Sequence, residues 1–460
     1  MNAIRKLSPI AIAVAALVAA PLALATASVR DGQFSYGNHQ ESSFNATGEA
    51  VLSGNAGKNT SGNLGFNIAT GSQNQQANAG ALSSNSNIDD AAASSAAINA
   101  DQLELMDWAC QWVNGANAVE FTGNALRNAS GNIGVNLTSG IFNQQSNNMA
   151  ASHAAHSDYA SASVDTDQFS VLNYASSGLN GGYYYEDYAS NSTGLYGHVL
   201  VGAGGNIGVN EAAGISNQQS NSLAIATAAN SDSEGYAIGA TANVNATQVL
   251  GGNGSTQGSY DYSYDSQSGP WYGFDDNFFN TTNVAGLGSD ALKNASGNIG
   301  VNMASGTNNQ QSNSLALSST KNTYRSQKST DFADATAGAN QVAGANYTSD
   351  NNVQDSAKVN GNALKNASGN IAINVAAGAQ NQQENGLAIA SIASPMAMGN
   401  ASAPVEQVAY CNNGTTLDSR YNSTVNGNAL EGASGNIGLN VATGNGNQQV
   451  NTLAIASVQP

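Results

Sequence analysis

The chain has 460 residues, of which only 9% are charged and 7% are aromatic. Asparagine makes up about one residue in seven, well above its usual share in globular proteins. This composition argues against a conventional enzyme core. The formal net charge of −18 argues against binding to nucleic acid or to anionic lipid, because both would repel the chain.

The N-terminus has the pattern of a secretory signal peptide. Two basic residues precede a nearly continuous apolar stretch over residues 7–24, and small residues follow with Ala-x-Ala spacing at Ala25 and Ala27. A membrane anchor is the alternative, but prolines interrupt the apolar stretch. We therefore predict a cleaved signal peptide over residues 1–27 and export of the remaining chain.

Six copies of one motif dominate the rest of the sequence. With substitutions, each copy reads Asn-Ile-Gly-Val-Asn, then a break that contains glycine, then Asn-Gln-Gln. Five copies close on a stretch similar to Leu-Ala-Ile-Ala. The leading glycines of the six copies are Gly62, Gly131, Gly205, Gly297, Gly369 and Gly435.

A second short signal, a glutamine followed by Phe, Leu or Val, recurs once before each copy. Six units therefore fill the chain after the signal peptide, and no stretch remains for a separate catalytic domain. Units three and four carry Tyr-rich insertions at residues 181–188 and 260–279. The short signals are at Gln33, Gln102, Gln168, Gln248, Gln341 and Gln407. The predicted units are residues 28–82, 83–151, 152–226, 227–318, 319–390 and 391–460.

Within each copy the apolar residues fall on every second position, as at Ile133, Val135 and Leu137. A period of two predicts a strand with one buried face. The glycine of the break marks a tight reversal, because glycine reaches positive φ without steric cost. Each copy is therefore predicted as strand, turn and strand, and the Ala-Leu stretch before it, as in residues 123–126, as a third short strand.

So few strands cannot bury an apolar face alone, so the units are expected to stack. Stacking in register would place Asn over Asn and Gln over Gln as axial ladders. All six prolines lie outside the copies, as expected for central strands. Glu211 is an exception to the pattern, since it stands where other copies have an apolar residue. We predict an all-β fold, a parallel β-solenoid or cross-β stack of six imperfect repeats with flexible connecting segments projecting sideways. The alternative is a disordered low-complexity chain.

At these positions the chain resembles the Fap family of functional-amyloid fibre subunits. The family's Gly-Val-Asn-x-Ala-Ala motif is matched outright at residues 208–213 and approximately at the same place in the other five copies. The chain departs from that family in having more repeats than usual and no C-terminal Cys-x-x-Cys.

The residues expected to form self-assembly ladders are Gln75, Gln76, Gln144, Gln145, Gln218, Gln219, Gln310, Gln311, Gln382, Gln383, Gln448 and Gln449, with Asn67, Asn136, Asn210, Asn302, Asn374 and Asn440.

The resemblance implies export through a dedicated outer-membrane pore, polymerisation outside the cell and a minor nucleator subunit as partner. Repetition, amide pairs and proline placement independently favour a secreted structural protein that polymerises with itself into extracellular amyloid-like fibres, in a biofilm matrix or on the cell surface. A monomeric β-solenoid adhesin is the alternative. A polysaccharide-degrading solenoid would need paired carboxylates in one groove, and the copies contain hardly any.

No enzymatic activity, catalytic residue, cofactor or metal site is predicted. His153 and His156 form the one close histidine pair, without the cysteine or carboxylate cluster that a zinc site requires. The two cysteines, Cys110 and Cys411, are compatible with an intramolecular bridge, an intermolecular bridge or free thiols, and the sequence does not distinguish these states.

Overall fold

The computed structural model describes residues 24–42, 47–85, 93–112, 115–155, 159–179, 189–230, 238–257, 263–265, 269–271, 281–322, 330–394 and 397–459. All regular elements in these ranges are β-strands, which confirms the predicted all-β class. No helix in the described ranges is long and apolar enough to cross a membrane. Most of the predicted signal peptide, residues 1–23, lies outside the described residues.

Five parallel sheets run the length of the molecule, and each sheet contains strands from all six repeats. Sheet I contains β1 (Leu24–Tyr36), β6 (Ala93–Leu105), β11 (Tyr159–Val171), β16 (Gly239–Gly251), β23 (Asp331–Gly344), β28 (Ala397–Ser402) and β29 (Val405–Tyr410). Sheet II contains β2 (His39–Ser42), β7 (Trp108–Trp112), β12 (Tyr174–Leu179), β17 (Gly254–Gln257), β24 (Tyr347–Asn351) and β30 (Asn413–Leu417). Sheet III contains β3 (Thr47–Leu52), β8 (Gly115–Phe121), β13 (Ala189–Leu195), β20 (Thr281–Leu287), β25 (Val353–Val359) and β31 (Arg420–Val425).

The two halves of each motif copy form the last two sheets. Sheet IV contains β4 (Ser61–Ser72), β9 (Ser130–Ile141), β14 (Gly204–Ile215), β21 (Ser296–Thr307), β26 (Ser368–Ala377) and β32 (Ser434–Thr443). Sheet V contains β5 (Gln75–Asn85), β10 (Gln144–Ala155), β15 (Gln218–Asn230), β22 (Gln310–Asn322), β27 (Gln382–Ala393) and β33 (Gln448–Gln459). A small antiparallel hairpin, β18 (Ser263–Asp265) with β19 (Gly269–Trp271), lies apart from these sheets in the insertion of unit four.

The five strands of one repeat make one coil of a β-solenoid, and the six coils are numbered here from the N-terminus. Strands pair in register with their counterparts in the next coil, apart from a shift between Ser177 and Leu179 of β12, so that Ile207 lies over Ile133 and under Ile299. This arrangement confirms the predicted parallel solenoid or cross-β stack. The connecting segments, expected to project sideways, instead carry sheets I to III in their described residues.

In the described residues two large apolar cores fill the space between the sheets, beside a smaller cluster around Phe142. One lies between sheets III and IV and is built from columns such as Val135, Val209 and Val301, all fully buried. The other lies between sheets V and I and consists mainly of alanine, so the two sheets approach closely over small side chains. Both cores run continuously through successive coils, which means that each coil is buried mainly by its neighbours.

The predicted third short strand is wrong. Residues 123–128 form a turn, in which Leu126 and Asn128 have φ near 54°. This left-handed conformation is rare for leucine, but the Leu126 side chain is fully buried and its N–H donates to Ala56 O of the preceding coil at 2.8 Å. Stacking on the neighbouring turn therefore outweighs the local preference for an extended chain.

The insertions leave the coil outline unchanged. In coil 4 the connection from sheet II to sheet III consists of all residues between Gln257 and Thr281. In coil 5 only Asn352 separates the two strands. Strands β20 and β25 still pair in register. The tyrosines at 183–185, which the sequence singled out, lie outside the described residues.

Candidate self-assembly surface

The predicted glutamines stack into two columns of side-chain amides along the solenoid axis, here called amide ladders. In the first ladder each glutamine donates through Nε2 to Oε1 of the glutamine in the preceding coil, at 2.6–3.0 Å. In the second ladder the direction is reversed, because each glutamine donates to the following coil at 2.8 Å. The two neighbouring residues point to opposite faces of sheet V, which allows them to form separate ladders.

The predicted asparagines form a third ladder between sheets IV and V. Each Nδ2 donates to Oδ1 of the asparagine in the preceding coil at 2.9–3.0 Å. The same amide also donates across to the backbone of sheet V, as Asn210 does to Ser146 O at 2.9 Å. The ladder therefore joins successive coils and also ties sheet IV of one coil to sheet V of the preceding coil.

The short glutamine signals form a further ladder that the sequence analysis did not assign. Each of these glutamines lies on sheet I and donates to its counterpart in the preceding coil at 2.8–3.1 Å. Each also donates to a backbone carbonyl of sheet V, as Gln168 does to Gln219 O at 3.1 Å. The signal was visible as a recurring Gln, but the low hydrophobicity around it resembled a linker.

Three more asparagine ladders were also missed. One begins at Asn63 on sheet IV, one at Asn74 in the turn between sheets IV and V, and one at Asn78 on sheet V, and each continues through all six coils. Their signal in the sequence is the invariant offset of each asparagine from the Gln pair. The buried amides at the turn also accept a backbone N–H, as Asn143 Oδ1 does from Asn217 at 3.1 Å.

Glycine is required where successive coils approach most closely. A Cβ on Gly205, which has φ of +107°, would lie 2.3 Å from Gly131 O, so any side chain would collide with the preceding coil. The equivalent Gly62 in coil 1 has a similar φ of +117°, but no described residue lies within 4 Å of such a Cβ. Gly62 thus lacks the contact with a preceding coil that makes glycine necessary at this position inside the stack.

Several carboxyl groups are fully buried in this otherwise neutral interior. Glu211 projects into the core between sheets III and IV, where one oxygen accepts from Gly286 N at 3.2 Å and Oε1 has no hydrogen-bond partner among the described residues. Burial raises the pKa of Glu211 well above its usual range. Burial, together with the nearby Asp107, does the same to the pKa of Glu104 in coil 2.

Coil 5 has the largest group of buried acids. Burial raises the pKa of Glu384 to about 8, partly offset by the hydroxyls of Ser312 and Ser314. Burial also raises the pKa of Asp350 to about 6, although Tyr421 donates to its carboxylate at 3.0 Å. The pKa of Asp355 lies well above normal because of burial and the neighbouring Asp350. Burial thus shifts all three acids towards the neutral form in the folded chain.

The remaining residues considered from the sequence are dispersed. His153 is exposed and bonds Thr227 Oγ1 at 2.8 Å, while His156 lies outside the described residues. Cys411 is an exposed free thiol, and the side chain of Cys110 lies outside the described residues. Among the described residues no three His, Cys, Asp or Glu side chains form a group that could hold a metal ion.

The ladders end in complementary groups at the two ends of the molecule. Gln448 in coil 6 donates to Gln382, and no described residue donates to its Oε1. At the other end, Gln75 in coil 1 uses one amide hydrogen on Leu103 O, whereas interior counterparts such as Gln144 use two. In the first ladder the coil 6 end thus presents an acceptor, Gln448 Oε1, and the coil 1 end presents a donor, the Gln75 amide.

Comparison with known proteins gives one family. The chain matches the functional amyloid protein FapB/FapC family over residues 26–228, 179–343 and 335–459. It is 32% identical over 309 residues to the functional amyloid subunit FapC of Pseudomonas aeruginosa, an alignment that covers 64% of this chain and 82% of that protein. No solved structure matches the chain. Its six stacked coils, continuous amide ladders and family match lead to one conclusion: the chain belongs to the FapB/FapC family of functional amyloid proteins.

Proposed function

We propose that the chain is an extracellular fibre subunit that polymerises head to tail, with coil 6 of one molecule stacked on coil 1 of the next. The observation that carries this proposal is the complementarity of the two ends. Gln448 Oε1 would accept from Gln75 of the next molecule, and Gln449 would donate to Gln76 Oε1, which continues both ladders in their own directions. Such a contact is heterologous and does not close, so it generates filaments.

The apolar cores support the same arrangement. Ile437 and Leu439 are 44% and 38% exposed in coil 6, although their counterparts in the interior coils are almost completely buried. In coil 1, Leu64 and Phe66 are only half-buried at the same level of the core. Solenoids that remain monomeric normally carry a polar cap at each end, and the described residues of coils 1 and 6 form none.

The finer features of the function rest on the family and on the predicted signal peptide. We propose secretion, release through a dedicated outer-membrane pore and incorporation into a biofilm matrix or cell-surface layer, with a minor nucleator subunit as a second partner. A structural role is proposed in preference to catalysis. The monomeric adhesin is the competing proposal, and it predicts a stable monomer at all concentrations.

The first test is assembly of the purified chain without residues 1–27, started as a monomer. We expect sedimentable, thioflavin-positive fibres with a meridional reflection near ~4.8 Å. A chain that stays monomeric under all conditions, with intact β-structure, would favour the adhesin.

A single substitution tests the head-to-tail contact. Gly62→Ala places a methyl group on the open coil 1 end, where a stacked molecule would bring its Gly435 carbonyl, by analogy with Gly131 and Gly62. We expect fibre elongation to stop while the monomer keeps its β-structure. The control is Gly80→Ala in the same coil, whose Cβ would lie 3.7 Å from Asn63, an ordinary contact. Equal elongation rates for the two variants would contradict end-to-end stacking through coil 1.

A further inference from the structure

An apolar ridge runs along the outside of all six coils, where sheet I turns into sheet II. One outward-facing row consists of Phe34, Leu103, Phe169, Val249, Val342 and Val408, which lie in register along sheet I. Phe34 at the coil 1 end is 70% exposed, the row residues of the other coils are half-buried, and Leu172 and Tyr410 in the adjoining rows are each 53% exposed. An exposed apolar surface of this extent is typical of an interaction site.

A groove runs parallel to the ridge between sheets IV and V. It has a volume of about 1400 Å³ and is lined in each coil by a short stretch of sheet IV, Asn-Ile-Gly in four of the six coils, and by a row of sheet V that is leucine in coils 3 to 6, such as Leu315 and Leu387. The glycine of the stretch makes room for an asparagine of sheet V, since a Cβ on Gly208 would lie 2.5 Å from Asn147 Oδ1, and the Asn63 ladder forms one edge of the groove. The groove therefore combines aliphatic walls with an edge of amide groups.

Ridge and groove lie on different sides of the solenoid. Gln144 donates to Phe169 O at 3.0 Å, which places the ridge beside the first residue of the sheet V strands, next to sheet I. The groove begins further along these strands and on the face that meets sheet IV. One molecule can therefore present its ridge to one neighbour and its groove to another.

Charge distinguishes between the possible pairings. Two residues before the ridge row, on the same outer face, lie the acidic residues Asp101, Asp167 and Glu406. Two ridges packed together would bring these acidic rows close, at a cost in like-charge repulsion. The groove lining has ionisable groups only at its coil 1 end, Arg30 and Asp31, so it can receive the ridge without such repulsion.

We infer that the ridge of one solenoid packs into the groove of a second copy, which associates stacked filaments sideways into bundles. Both surfaces repeat once per coil, so a second copy matches the groove at every level. The contact is heterologous and therefore continues from filament to filament. This inference rests on the proposed head-to-tail fibre, because only a stack makes ridge and groove long.

The test compares filament elongation with bundle formation. Phe169→Ser with Val249→Ser removes two half-buried ridge residues, and the control is Ser161→Ala with Ser163→Ala on the polar part of the same outer face. We expect the ridge variant to elongate like the wild type in thioflavin and sedimentation assays but to give single filaments by electron microscopy, while the control forms bundles. Bundles in the ridge variant, or single filaments from the wild type, would overturn the inference and leave the fibre proposal standing.

Cross-linking locates the contact independently of stability. Filaments with Cys411 as the only thiol, after Cys110→Ser, are mixed with filaments that carry Cys110→Ser, Cys411→Ser and Leu315→Cys, and oxidised glutathione is added. Because Cys411 follows the ridge residue Tyr410 and Leu315 lines the groove, we expect disulfide-linked heterodimers. A partner with Ser161→Cys in place of Leu315→Cys is the control. Equal cross-linking to both positions would overturn the proposed ridge-and-groove contact, whereas absence of any fibre would overturn the proposed function itself.

Discussion

Coils 3 and 6 have nearly the same motif but very different environments. Val209 in coil 3 is completely buried, whereas Leu439 at the same level of coil 6 is 38% exposed, and Ile207 and Ile437 differ in the same way at 2% and 44%. The local sequence is thus not what buries a coil, since burial comes from the coils on either side. A terminal coil is an interior coil that lacks one neighbour, and experiments on matched positions in the two can measure what that neighbour contributes.

Proline should produce the largest difference between interior and terminal coils. Ile299→Pro in β21 removes a donor from a strand with neighbours on both sides, and we expect a loss of about 3 kcal/mol or more, by analogy with helix interiors. Ile437→Pro in β32 affects an edge strand, where proline is tolerated better. Urea unfolding of the monomers measures both. If the two variants lose the same stability, the edge position of coil 6 is wrong.

The pH dependence of stability should be strongest in coil 5, which has the largest group of buried acids. Glu384 stands in register with Ser312 of coil 4 and has a folded-state pKa of about 8 against an ordinary value near 4.5. A raised pKa in an acid gives stability that is fully present below the unfolded-state value and is lost as the pH rises towards the folded-state value. Stability should therefore fall between about pH 4.5 and about pH 8, by roughly 3 kcal/mol at pH 7 from this group.

Glu384→Gln is the matched variant for this effect. The neutral amide removes the titration, so we expect the stability of the variant to change less with pH over the same window, with Glu104, Glu211, Asp350 and Asp355 still contributing the remainder. Urea titrations of wild type and variant at several pH values measure the difference. Parallel pH profiles for the two chains would show that Glu384 is not buried in the folded state.

Glycine substitutions separate backbone strain from contact with the next coil. Gly205→Ala and Gly62→Ala share a similar positive φ, but only the methyl group at residue 205 collides with another coil. We expect Gly205→Ala to destabilise the monomer by about 1–3 kcal/mol more than Gly62→Ala. Thermal unfolding of the two monomers checks this, and equal losses would mean that φ alone decides the cost.

The smallest difference should come from the glutamines. Gln219 is fully buried, donates to Gln311 Oε1 and Glu211 O at 2.8 Å each, and accepts from Gln145. Gln449 in coil 6 accepts from Gln383 and donates to Val441 O, without a following coil. We expect Gln219→Ala to cost about 1–3 kcal/mol and Gln449→Ala less. In assembled fibres the difference should disappear, which hydrogen exchange can measure.

The regular part of the fold could be predicted because its signals are local. Alternation at Ile133, Val135 and Leu137 indicates a strand, and identical copies favour stacking in register. The turn at Leu126 could not be predicted, since the left-handed φ of this residue is held by a hydrogen bond to the preceding coil. Sheet I was not predicted for a different reason. Its buried side chains are mostly alanine, which gives only a weak alternation of apolar and polar residues.

The ladders were predictable where the motif is conspicuous and missed where it is short. The Gln pairs stand out in the sequence, whereas a single glutamine such as Gln168 gains significance only from its bonds to Gln102 and to the backbone of sheet V. Glu211 shows the opposite limit. The sequence marks it as an exception to the repeat, but only the structure shows that its carboxyl group lies inside the core.

The passage from sheet II to sheet III accepts 1 residue in coil 5 and the whole span from Gln257 to Thr281 in coil 4, without a change in strand register. This corner is therefore a natural place to graft foreign peptides. Because a subunit contributes six coils of about 4.8 Å, one graft per subunit would repeat every 29 Å or so along a filament, roughly the length of a 20-residue helix. A fibre built from this chain would then be a ruler for displaying enzymes or binding peptides at a fixed molecular spacing.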